Sequence, residues 1–337
     1  AVLAMLAAVP QPAASSSNPS LPSIQTRDAN LADLVLRYKD TLGNRFWRLN
    51  NLYWITDKDS REMIFRMNME QEQLLRNLHH RNIILKARQI GFTTLVDLFI
   101  LDSCLFQPNL RCGIIAHSMD DARVIFRDKV KFAYDCLNRH PFGALIQEAT
   151  KAREDKVMEL TFANNSNIRV ATSFRSGVLQ ILHVSEYAKI CARYPEKARE
   201  IRTGALNAVA KGLLVFVEGT AEGRSGDFYD MCKVAEKKQQ LGQLLTPLDF
   251  KHHFFPWQDH PEYTLDPEGV VITSEMKAYF RELEEGPGIK LTPGQKAWYV
   301  KMKETQKDEM TREYPATSEE AFLAALKGAF YGVQMAK

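Results

Sequence analysis

An α/β fold is predicted: a mostly parallel sheet with helices on both faces, followed by a small helical lid. Three observations predict it. Short apolar runs, Asn82–Ala87, Arg111–His117 and Leu213–Glu218, read as strands buried on both faces. Helical stretches alternate with them. After Pro256 the chain turns polar and Pro/Gly-punctuated, with two further helices.

The elements follow in order. Residues 1–27 open with apolar Ala1–Ala8 and continue Pro/Ser-rich from Pro10 to Pro22, so a flexible tail is expected; a secretory signal would need a basic leader. Leu31–Leu42 reads as a short amphipathic helix, and Phe46–Phe65 shows no clean period. Then come strand Asn82–Ala87, helix Thr93–Phe106, strand Arg111–His117 and a long helix Met119–Leu137. A hairpin of Val157–Ala163 and Asn167–Thr172 is expected around Asn164-Asn165-Ser166. Strand Leu179–Val184, helix Pro195–Ala210 with Pro in its first turn, strand Leu213–Glu218 and a helix near Asp227–Gln240 complete the sheet region. Helices near Thr273–Leu283 and Pro293–Lys307 form the appendage. The division is thus tail 1–27, sheet domain 28–260 and helical lid with linker 261–337.

Composition narrows the function classes. With 337 residues, 45% hydrophobic and 25% charged, the chain is neither disordered, collagen-like nor a coiled-coil rod. It contains no apolar run of ~18 residues that would span a membrane. A formal charge of +3 excludes a DNA-coating protein and leaves local nucleic-acid contact open. Five scattered cysteines without metal-ligand spacing favour a reducing compartment.

The richest stretch is Lys86-Ala87-Arg88-Gln89-Ile90-Gly91-Phe92-Thr93-Thr94, between a buried strand and a helix. Backbone N–H groups and a helix N-terminus converge there, which suits a phosphate. Against the phosphate-loop pattern GxxxxGK[ST], Gly91 and Thr93 are in place, whereas Lys86 occupies the first Gly position and Phe92 the Lys position. No carboxylate occurs between Arg76 and Val96. The alternative is a turn that starts a helix capped by Thr93 or Thr94.

KARQIGFTT, FRSGVLQILHVSEYAK (Phe174–Lys189), LLVFVEGTAEGRSGDFYD (Leu213–Asp230) and REYPATSEEAF (Arg312–Phe322) occur in this order. The set resembles the ATPase domain of tailed-phage large terminase subunits, the motors that package viral DNA, from about Asn68 to Tyr331. The resemblance implies a P-loop NTPase fold of the additional-strand (ASCE) type, with ATP and Mg²⁺ as cofactors. Arg88 matches the arginine finger acting in cis on the γ-phosphate, and Lys86 a displaced loop lysine. The loop from Lys86 to Thr94 would bind nucleotide and Gln71 would read adenine. Thr93 and Ser185 would hold Mg²⁺, although Asp is expected where Ser185 stands. Glu186 matches the catalytic carboxylate, and Gly219-Thr220-Ala221 the coupling motif. The implied partners are double-stranded DNA, a small terminase subunit and a portal protein, with the chain in a homo-oligomeric ring on a procapsid in the cytoplasm of the bacterial host. A phage or prophage origin is implied, and so is a nuclease domain beyond this chain, which is expected to be the motor half.

Other constellations weigh less. His183 is expected to be structural. His252, His253, His260 and Asp259 fit no zinc template, and Trp257, Trp298 and Tyr299 are expected in packing. A helicase-like translocase, suggested by Gly113–Asp121, and a non-hydrolysing docking module remain alternatives.

Overall fold

A computed structural model describes residues 38–174 and 177–323. The expected tail and the first half of helix Leu31–Leu42 lie outside them, as does the end of the lid region. Strands β1 (Trp54–Thr56) and β2 (Glu62–Ile64) pair as a separate hairpin. Eight further strands are β3 (Arg81–Lys86), β4 (Arg111–Ile115), β5 (Ala152–Lys156), β6 (Glu159–Phe162), β7 (Asn167–Ala171), β8 (Leu179–Val184), β9 (Val209–Gly219) and β10 (Phe250–Phe255). They form one sheet in the order β10-β3-β9-β8-β4-β7-β6-β5. β10 runs parallel to β3 and β7 parallel to β4, while β5, β6 and β7 form an antiparallel edge.

Burial explains which strands were legible. β3, β4 and β8 are buried almost throughout, as parallel strands covered on both faces must be. β7 alternates along its length, and β5 is almost wholly exposed, which is why its charged sequence gave no strand signal. The expected hairpin is present, with Asn165 in the left-handed region (φ 66°) at its turn. The long helix is continuous but widens in its middle. It runs Met119–Ile125, then a wider π-helical turn Phe126–Lys131, then Phe132–Asp135. Helix Pro195–Ala210 is likewise shorter, because β9 begins at Val209. Phe46–Phe65 holds parts of a helix (Arg45–Asn51) and the β1–β2 hairpin, elements too short to show a period.

Contacts group the chain into two units. One comprises the described residues up to His80, Thr93–His183 and Gly204–Val215; the other comprises Arg81–Phe92, Val184–Thr203 and those from Phe216 on. Within the first, the fully buried carboxylate of Asp102, on helix Phe92–Phe106, accepts from Arg45 Nε (3.1 Å), Arg48 Nε and Nη2 (2.8 and 2.7 Å) and the Tyr53 hydroxyl (2.8 Å). Arg45 also lies 4.4 Å over the Phe99 ring and Arg48 3.9 Å over Phe106. These bonds fasten the N-terminal helix to the helix that follows the loop. In the second unit, Trp257 and Tyr263 stack on Trp298 at 5.3 and 4.6 Å, so the aromatics pack the helical segment.

Burial pushes the Asp102 carboxyl up, but Arg48 and Arg45 outweigh it and hold it below the usual carboxylate range. A depressed folded value means that the stabilisation is present above the unfolded pKa of about 3.9 and is lost as pH falls through the folded value. Asp102→Asn leaves two buried guanidiniums without their carboxylate. The expected cost is about 3–5 kcal/mol at neutral pH, read as a lower denaturation midpoint, with a shallower loss of stability on acidification. An unchanged midpoint would contradict this account.

Candidate nucleotide site

The second unit brings Lys86, Ser185, Glu186 and Glu218 together at strand ends. Lys86 is the last residue of β3 and only 5% exposed. Its ammonium lies 3.2 Å from Glu186 Oε1 and 3.6 Å from Glu218 Oε2. Burial alone would lower its pKa, but Glu186 and Glu218 outweigh burial and keep it protonated above the ordinary lysine range. Ser185 donates its hydroxyl to Glu218 Oε1 at 3.2 Å. Glu186 sits between β8 and helix Tyr187–Arg193 in the left-handed conformation (φ 53°, ψ 43°), which costs a glutamate about 1–3 kcal/mol. That corner leaves its carboxylate part-exposed beside a buried cation.

The loop after β3 turns through two left-handed residues, Gln89 (φ 63°) and Gly91 (φ 84°). Ala87 N–H donates to Phe255 O at 2.9 Å and Arg88 N–H to Glu313 O at 2.8 Å; the Tyr263 hydroxyl donates to Arg88 O. Phe92, at the usual lysine position, is 1% exposed, with its ring 4.4 Å from that of Phe255. It anchors the helix start in the core, and the loop's inward cation comes from Lys86 instead.

Arg88 is half exposed and tied to Glu313 (Nη1–Oε2, 2.9 Å). Glu313 also receives Arg312 at 2.8 Å, and Arg312 reaches Glu222 at 2.5 Å and Glu309 at 2.8 Å. Burial raises the Glu222 carboxyl, against the pull of Arg312. Glu222 directly follows Gly219-Thr220-Ala221, so this chain of charges runs from the loop arginine to the turn after β9. A Cβ on Gly219 would lie 3.1 Å from Ala188 Cβ and 3.2 Å from its backbone nitrogen, so this turn lies tight against helix Tyr187–Arg193 and a larger residue would push the two apart by a few tenths of an ångström.

Thr93, Thr94, Gln71 and His183 belong to the first unit. Thr93 and Thr94 lie in the first turn of helix Phe92–Phe106, and Thr94 Oγ1 accepts from Lys129 Nζ (2.8 Å) in the π-helical turn. Gln71 is 4% exposed and completes a capping box, its Oε1 accepting from Asn68 N–H at 3.0 Å. That oxygen is already engaged by the helix start. His183 is fully buried, its Nδ1 2.8 Å from Asp97 Oδ1. His252 and His253 lie in β10, a strand absent from the sequence reading, and His253 Nε2 is 3.0 Å from Asn82 Oδ1. No cluster of three or more His, Cys, Asp or Glu that could hold a metal occurs among the described residues.

Sequence reasoning missed Glu218, Glu313, Arg312 and Glu222 as site residues. The signal for Glu218 was a carboxylate closing the apolar run LLVFV. Arg312 and Glu313 lay inside a quoted segment without a role.

No family model matches the sequence, and no curated protein matches it. Solved structures do. The ATPase domain of the Thermus phage P74-26 large terminase is 16% identical, covering 74% of this chain and 93% of its own, with a TM-score of 0.47. The HK97 bacteriophage large terminase is 13% identical, covering 80% of this chain and 54% of its own, at 0.49. The large terminase of a thermophilic bacteriophage, in complex with ATP-gamma-S, is 12% identical, covering 64% and 47%, at 0.36. The sheet order and the strand–loop–helix geometry establish an α/β fold of P-loop type without them, with β9 as the additional strand between β3 and β8.

Lys86→Met would leave Glu186 and Glu218 facing each other without their cation. The expected cost at neutral pH is about 3–5 kcal/mol. The folded variant then holds a shared proton that the unfolded chain releases, so its stability relative to wild type rises as pH falls from about 7 towards 5. Chemical denaturation at several pH values checks this. A deficit independent of pH would remove the paired-carboxylate account.

Proposed function

We propose that this chain is the ATP-hydrolysing motor part of a phage large terminase, driving double-stranded DNA into a procapsid. The observation that carries the ATPase reading is the convergence of Lys86, Ser185 and Glu186 beside a strand–loop–helix turn bearing Arg88. The ordered motifs support the packaging role. No helix among the described residues is long and apolar enough to cross a membrane.

Lys86 and the loop backbone would bind phosphates, with Gln89, Ile90, Gly91 and Thr93 supplying its N–H groups. Phe92 contributes only backbone, its ring being packed on Phe255. Glu186 would orient and deprotonate the attacking water, and Arg88, released from Glu313, would neutralise charge on the transferring phosphoryl group. Gly219-Thr220-Ala221 would report nucleotide state to residues 261–337, acting as lid and linker after a sheet domain of 28–260. Oxygen donors suit Mg²⁺, and in this reading the Thr93 and Ser185 hydroxyls are each a protein ligand to it, with the ion shielding phosphate charge. The proposed setting is the bacterial host cytoplasm, with a small terminase subunit, a portal protein and further copies in a ring.

DNA-stimulated ATP hydrolysis, measured with a small terminase subunit present, tests this. Glu186→Gln should lower kcat by about 10²–10⁴-fold, and Arg88→Ala by about 10³-fold or more. If wild type is no more active than these two variants, the ATPase reading is wrong.

A further inference from the structure

We propose that Glu218 supplies the carboxylate that Ser185 lacks, holding the hydration shell of the nucleotide's divalent cation from the neighbouring strand. The proposal rests on the ATPase reading above. A serine at the end of β8 offers an uncharged oxygen, a weak substitute for the carboxylate that Mg²⁺ sites employ alongside phosphates and water. Glu218 lies at the end of β9, which neighbours β8 in the sheet. Its Oε1 is 3.2 Å from Ser185 Oγ and its Oε2 3.6 Å from Lys86 Nζ, with the residue fully buried.

Two features separate this role from that of a counterion for Lys86. Glu186 approaches Lys86 more closely, at 3.2 Å against 3.6 Å, so Glu218 is the more distant of its two counterions. The Ser185–Glu218 hydrogen bond also places hydroxyl and carboxylate side by side, giving the Ser185 position an anionic oxygen within one side chain's reach. With no three-residue protein cage among the described residues, the cation would arrive with the nucleotide, and one carboxylate from the protein suffices. Glu218 is thus a positioning residue, acting on the reaction through the metal's water shell.

The test titrates Mn²⁺ by electron paramagnetic resonance into the full chain with a non-hydrolysable ATP analogue, and separately measures binding of a fluorescent ATP analogue in EDTA. E218Q should lower Mn²⁺ affinity by about 10–100-fold and change metal-free nucleotide affinity far less. S185D/E218Q, which returns the carboxylate to β8, should recover Mn²⁺ binding. E218D keeps the charge and serves if E218Q does not fold by circular dichroism; its retained Mn²⁺ affinity, beside the same recovery in S185D/E218Q, would support the assignment. An E218Q titration that superimposes on wild type overturns it. So does an equal loss of nucleotide affinity with and without metal, which would leave Glu218 as a structural partner of Lys86. Wild type that binds no nucleotide under either condition overturns the ATPase reading itself, and this proposal with it.

Discussion

Lys86 places an ammonium at the end of a buried strand, where burial by itself opposes the charge. Two carboxylates, one just after β8 and one near the end of β9, keep it charged. The strained corner at Glu186 persists because the surrounding packing and this ion pair over-determine it. Phe92 can then serve as a core residue, since the buried cation beside the loop comes from the strand instead of the helix.

A second buried charge system does comparable work elsewhere. Asp102 joins two arginines and a tyrosine from the segment before the sheet, giving short N-terminal elements, weak in propensity, a fixed seat on a long helix. In both systems the charges are retained by multiple hydrogen bonds in place of solvent, which suits geometric definition more than added stability.

The sheet was legible where burial on both faces produced unbroken apolar runs, as in Ile83–Leu85 and Leu214–Val217. β5 was not, because an almost wholly exposed edge strand of sequence AREDK carries no periodicity. β10 was missed because its histidines, His252 and His253, disguise a buried strand; burial lowers the His252 pKa to about 4, so it stays neutral. At the candidate site, Lys86, Ser185 and Glu186 lie close together at strand ends, and these three and Arg88 could be singled out from motif order. Glu218 and Glu313 could not, since their meaning depends on which strand end and which later segment fold beside the loop. Gln71, read from the sequence as a base reader, also completes the cap of its own helix, a local role its neighbour Asn68 already suggests.

Gly219 has a wider consequence. Its missing side chain is set by the nearness of Ala188, a neighbour on a helix, independently of any phosphate. An alanine there would have to move Ala188 by a few tenths of an ångström, so the turn after β9 and that helix shift together. A preference for glycine here would record the packing of a turn on a helix and say nothing about catalysis.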